Sequence, residues 1–185
     1  MNCNLCPDKG RCHNNHLYDA ITNTYIDCPH RQIEFQGIPR KWKNSTWEDL
    51  PEGEVKTFCK KYAKQICEKE TTSKTHIIRG KWLLTSQYAT CVAKSIGKRT
   101  FKFEHFEDTT RNFFDDKDAY RASRDNPHLL ILDVKPLASK ALPLVLTDLL
   151  ESRELDNKPT LICLAPGEAC KDFFETPNFK IHSLS

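Results

Sequence analysis

Two hydrophobic periods alternate along the chain. Leu129-Leu130-Ile131-Leu132-Asp133 is a continuous apolar run closed by a carboxylate, the pattern of a strand buried on both faces whose polar residue emerges at its carboxyl end. Asn126-Pro127 marks its start. A second run, Thr160-Leu161-Ile162-Cys163-Leu164, follows a helix-like segment from about Ala141 to Asp156, and strand, helix, strand predicts a parallel α/β core. Upstream, Val55, Phe58, Cys59, Tyr62, Ala63, Ile66 and Cys67 recur at helical spacing over about Gly53 to Glu68, which places Lys56, Lys60, Lys61 and Lys64 on a solvated opposite side. Ile77 to Thr85 offers Trp82-Leu83-Leu84 as a buried strand, and Thr90 to Ile96 reads as the helix after it. Arg99 to Phe106 alternates like a strand, Phe106 to Phe114 turns helical, and Asp115 to Asp118 read as a charged surface stretch. Glu168 to Phe174 predicts a short helix and Phe179 to Leu184 a last short strand.

Composition narrows the class. With 185 residues, 38% hydrophobic and 29% charged, the chain can build one mid-sized core and a small appendage. No apolar run is long enough to cross a bilayer and the N-terminus lacks a signal-peptide pattern, so the expected location is the cytoplasm, without membrane contact. A formal charge of +3 is too small to argue for nucleic acid by itself.

Nine cysteines are distributed unevenly. Cys59, Cys67, Cys91, Cys163 and Cys170 fall within helix- or strand-like segments and read as small buried apolar residues. The first 28 residues hold the other four, and Cys3-Asn4-Leu5-Cys6 is a CxxC pair of the kind that places two thiolates on one Zn²⁺. Cys28-Pro29-His30 offers a second pair, so Cys3, Cys6 and Cys28 are the firmest ligands, with Cys12 and His30 competing for the fourth place. A segment so poor in aliphatics draws its folding free energy from the metal. The alternatives are a flexible cysteine-rich tail or a redox-active CxxC pair.

Three parts follow: a zinc-binding module over 1–36, a linker over 37–52 and a core over 53–185. The linker begins at Gly37-Ile38-Pro39, ends at Pro51, and sets Trp42 and Trp47 among Arg40, Lys41 and Lys43. Interleaved aromatic and basic residues suit stacking on single-stranded nucleic acid, with Lys98, Arg99 and Lys102 as a second basic edge; the competing reading pins both tryptophans to the core.

Cys3 to Gly10, Tyr25 to Pro29 and the stretch Gly37 to Asp49 together resemble the front end of bacterial and phage replicative-helicase loaders, the DnaC/DnaI-like family. The resemblance continues in order through the core: Lys81 to Leu84 at the strand before the phosphate loop, Thr100 to Phe113 at the second strand and its helix, Leu129 to Asp133 at the Walker B strand and Lys158 to Ile162 at the sensor 1 strand. It implies an α/β fold, a small zinc module followed by a truncated P-loop NTPase-like core of AAA+ type. The departures concentrate on nucleotide chemistry. Thr85 to Thr90 contains no glycine and no GK[ST] ending, Lys94 lies too far into the helix to serve phosphate, Val134 replaces the second Walker B acid, and Ala165 and Pro166 replace the sensor 1 polar residue.

The expected function is therefore that of a non-catalytic helicase-loader-like protein, with structural Zn²⁺ and no ATP, whose zinc module binds a replicative DNA helicase and assists, adapts or blocks its loading. Monomer is the expected state, and the stripped form suits a phage or other mobile element. The alternative is a zinc-containing module for single-stranded nucleic acid without a helicase partner.

Overall fold

Two units, Met1–Lys43 and Asn44–Ser185, divide the chain in the computed structural model. The structure describes residues 12–13, 16–19, 24–27, 42, 44–68, 75–96, 101–134, 142–165, 171–174 and 179–184; within 12–27 it gives the backbone course alone. In the first unit β1 (Cys12–His13), β2 (His16–Asp19) and β3 (Thr24–Asp27) form a three-stranded antiparallel sheet in that order. Leu17 lies opposite Ile26 and Tyr18 opposite Tyr25 in the register of that sheet. The sequence reading assigned metal ligands here and no strands.

In the second unit five strands pair in parallel, which is the core the apolar runs predict. β4 (His76–Arg79), β5 (Phe101–His105), β6 (Leu129–Val134), β7 (Thr160–Leu164) and β8 (Lys180–Ser183) lie in the spatial order β5-β6-β7-β4-β8. Between them run α1 (Glu54–Cys67), α2 (Trp82–Ile96), α3 (Phe106–Asp115), α4 (Lys117–Arg124), α5 (Leu142–Leu155) and α6 (Lys171–Phe174). β6 is buried along its whole length, as a strand covered on both faces must be. Its even residues Leu130, Leu132 and Val134 join Val145, Leu146, Leu149 and Leu150 of α5 and Phe106 of α3 in one apolar cluster. Leu129, Ile131 and Asp133 alternate to the opposite face, where α1 and α2 lie. Asp133 is thus the polar end of the α2 side of the sheet.

Two sequence expectations are corrected. Trp82-Leu83-Leu84 is the opening turn of α2 and not a strand; the strand is the shorter His76–Arg79, and the supposed turn over Thr85 to Thr90 lies inside the helix. Asp115 to Asp118 lie exposed at the surface as expected, and there α3 ends at Asp115 and the Asp116 side chain accepts from the Ala119 N–H at 3.0 Å to cap α4. Lys56 is not solvated. Its ammonium is buried and donates to the Leu50 carbonyl at 3.0 Å and to Glu52 Oε1 at 2.5 Å. Together with Tyr88 Oη to the Pro51 carbonyl at 2.8 Å and Lys94 Nζ to the Ser45 carbonyl at 2.6 Å, this bond lashes residues 45–51 to α1 and α2.

One fully buried cation organises the amino-terminal ends of the strands. Arg153 of α5 donates to five carbonyls, those of Ser123, Arg124, Asn126, His128 and Pro159, and to Thr160 Oγ1, at 2.8 to 3.2 Å. Ser123 and Arg124 are the last residues of α4, whose carbonyls have no partner inside their own helix, so the guanidinium fork serves as their cap. Burial pulls its pKa down to about 10, which leaves it charged at neutral pH. α5 itself closes on Asn157 in the left-handed region, φ 54°, with Lys158 N–H on the Arg153 carbonyl and Asn157 N–H on that of Glu154.

Replacing Arg153 by Met strands several buried carbonyls at once and is expected to cost about 3 kcal/mol or more. Lys, with three donors on a single point, is expected to recover less than half of that loss. Urea unfolding of the two variants beside the parent protein measures both.

Candidate functional site

β4 ends at Arg79 and α2 begins at Trp82, so Gly80 and Lys81 are the whole connection. The Gly80 N–H donates to the Leu164 carbonyl at 3.1 Å, and a Cβ at position 80 would meet Leu184 Cβ at 2.7 Å. Gly80 therefore stands where the side chain of Leu184 closes over the corner, and any larger residue would force the two apart. Leu184 is held there by its own N–H on the Arg79 carbonyl at 2.8 Å.

The first residue of α2 directs its indole across this corner. Trp82 Nε1 donates to both oxygens of Asp133, at 2.7 and 2.8 Å, and His105 Nδ1 lies 3.0 Å from Asp133 Oδ2. Parallel pairing places His105 of β5 directly beside Asp133 of β6, both at the carboxyl ends of their strands. The Asp133 side chain has no solvent exposure, whereas the imidazole is 39% exposed and forms the outer wall of the cluster. In open parallel sheets this crevice at the carboxyl ends is where ligands bind. Here the indole N–H engages both carboxylate oxygens and the imidazole nitrogen stands against one of them. Cys163, opposite Asp133 in β7, shows the local polarity: burial first, and the Asp133 charge next, raise its thiol pKa well above the ordinary range.

The nominated contact residues fare differently. Trp47 is half-buried, its indole N–H donating to Ser95 Oγ at 2.9 Å while the Lys60 ammonium sits 5.9 Å from its ring. Trp42 is buried. Lys102 is not a free edge cation: it donates to Ser123 Oγ at 2.7 Å and pairs with Glu104 at 2.5 Å. A cavity of about 200 Å³ opens beside Trp47, walled by Ser45, Cys91 and Lys94, and burial pushes the Cys91 thiol up to about 11, a protonated and unreactive state at neutral pH. Arg40, Lys41, Lys43, Lys98 and Arg99 lie outside the described residues, as do the nominated zinc ligands Cys3, Cys6, Cys28 and His30; Cys12 is placed only as backbone in β1. Among the described residues no group of three metal-ligating side chains occurs.

Sequence reasoning missed Trp82 and His105 as partners of Asp133. For His105 a signal existed: it continues the alternation of Phe101 and Phe103 and closes a strand one position from a helix. Trp82 carried no such signal, because an apolar triplet reads equally as strand or as the first turn of a buried helix.

No family model and no curated protein matches the sequence. Among solved structures, the chain is similar to DnaI (TM-score 0.56, 13% identity, 72% of this chain and 78% of that one) and to the DnaC helicase loader (TM-score 0.54, 14% identity, 73% and 86%). It is also similar to AMPPCP-bound DnaA from Aquifex aeolicus (TM-score 0.55, 13% identity, 78% and 51%). At these identities the likeness shows the fold alone, a parallel α/β sheet flanked by helices.

Trp82→Phe keeps the ring but removes the N–H that serves a buried carboxylate. The expected loss is about 1 to 3 kcal/mol, read by chemical unfolding. Leu83→Ala, one residue along on a 53% exposed side chain, is expected to stay within about 0.5 kcal/mol.

Proposed function

We propose that this chain is a non-catalytic, helicase-loader-like protein that binds a replicative DNA helicase through its N-terminal unit and assists, adapts or blocks its loading onto DNA. The observation that carries the reading is the Trp82 indole seated on both oxygens of Asp133. In an AAA+ ATPase the corresponding acid holds a nucleotide-bound Mg²⁺, and the strand-to-helix loop wraps the phosphates with a run of backbone N–H groups. A two-residue connection supplies no such run, and the ring fills the approach to the acid. Each part of ATP chemistry depends on a positioned nucleotide, so the core serves as a scaffold.

The resemblance of the N-terminal motifs to loaders, and the similarity of the core to DnaI and the DnaC helicase loader, support the choice of partner. In this reading Cys3, Cys6 and Cys28, with Cys12 or His30, hold one structural Zn²⁺ that folds the unit. The competing reading, a module for single-stranded nucleic acid, is weakened by the internal engagement of Trp47 and Lys102.

Three measurements test the proposal. Calorimetry of the full chain with Mg-ATP is expected to show no binding at 100 μM (about ten times a micromolar-range affinity), and micromolar binding abolished by Asp133→Ala would overturn the non-catalytic assignment. Metal analysis is expected to find about one Zn per chain, reduced in Cys3→Ser; under about half an equivalent, unchanged by that substitution, would remove the zinc module. Co-purification with the host's replicative helicase is expected to be lost in Cys3→Ser and kept in Trp82→Phe. Binding to single-stranded DNA that falls steeply with salt, with no helicase retained, would instead favour the competing reading.

A further inference from the structure

Two histidines outside the Asp133 cluster meet at the free edge of the sheet. His76 opens β4 and His182 lies in β8, the strand that borders it, so parallel pairing puts both side chains on the face covered by α1. His182 Nε2 stands 3.4 Å from His76 Nδ1. As a hydrogen bond that separation is long, since good N–H contacts fall between about 2.7 and 3.2 Å. It matches a different geometry. Two nitrogens bound to one tetrahedral metal ion at about 2.0 to 2.1 Å are separated by about 3.3 to 3.4 Å.

We propose that His76 and His182 form a site for a borderline divalent transition-metal ion of the Zn²⁺ or Ni²⁺ class, with water completing the coordination shell. The rings are already oriented. Phe58 stacks flat on His182, centroids 3.5 Å apart at 11°, and Tyr62 meets His76 edge-on at 4.9 Å, so aromatic side chains of α1 hold both imidazoles against rotation. Little ordering remains to be done when the ion arrives. Both ligands bind as neutral imidazoles. Burial, and then the charge of Lys180, hold His182 below its usual pKa. The exposed Lys180 ammonium also opposes a cation, and with two protein ligands this sets a weak, exchangeable site and not a permanent one. The bound ion would bridge β8 to β4, the one strand that β8 pairs with in the sheet.

The test is thermal unfolding of the full-length protein with and without 0.5 mM NiCl₂ (about ten or more times a weak site's dissociation constant), for the parent protein, His182→Gln and His76→Gln. The parent midpoint is expected to rise by about 2 to 5 °C at pH 7.5, the rise to vanish in His182→Gln, and the parent's rise to vanish at pH 5.5, where protons displace the ion. An equal rise in His182→Gln would assign the ion to other ligands, such as the N-terminal cysteines, and overturn the proposal; so would the absence of any rise in the parent. His182 is on an edge strand, so its variant decides the question even if His76→Gln fails to fold.

Discussion

A carboxylate cannot be buried without partners, and the arrangement of this core follows from that constraint at Asp133. Removing an ionised oxygen from water costs several kcal/mol unless charge-assisted hydrogen bonds replace the lost hydration. A nucleotide-bound metal could in principle offset such a cost in a motor protein. In this chain the offset comes from inside, through an indole N–H and an imidazole nitrogen within 3.0 Å. The consequence reaches the backbone: the indole arrives because α2 begins after only two connecting residues, Gly80 and Lys81.

The opposite ends of the same strands are built on the reverse charge. Arg153 collects carbonyls from the end of α4, from the turn before β6 and from the entry to β7, so three separate segments are aligned by one planar group. The two ionic centres divide the work. Arg153 fixes where the strands start, and Asp133 with Trp82 closes where they end. Between them β6 and β7 are buried along their whole length, which helps to fix the register of their pairing.

The parts of the fold legible in the sequence are those with a strong single period. β6, β7, α1 and α5 appear within a residue or so of their expected bounds, because a doubly buried run or a clean amphipathic stripe leaves few alternatives. Trp82 was hidden because with Leu83 and Leu84 it forms an apolar triplet that reads as a strand, whereas the true strand ends at Arg79, three residues earlier. Lys56 was hidden because a lysine on a helix is exposed by default, and its burial depends on Leu50 and Glu52 in a segment that looked like a connector. Arg153 was hidden for the same reason. Its partners are carbonyls, which leave no trace in side-chain patterns. Asp133 was recognised from its place at the end of an apolar run, while its ring partners, 51 and 28 residues away, required the topology.

The meeting of Gly80 with Leu184 bears on what descendants of this sequence can become. Rebuilding this corner with a longer loop would require inserted backbone after Arg79, withdrawal of the indole and clearance of the leucine, and each change made by itself exposes a charge or collides with a neighbour. The corner therefore resists change one residue at a time, because the glycine, the leucine and the indole hold one another in place.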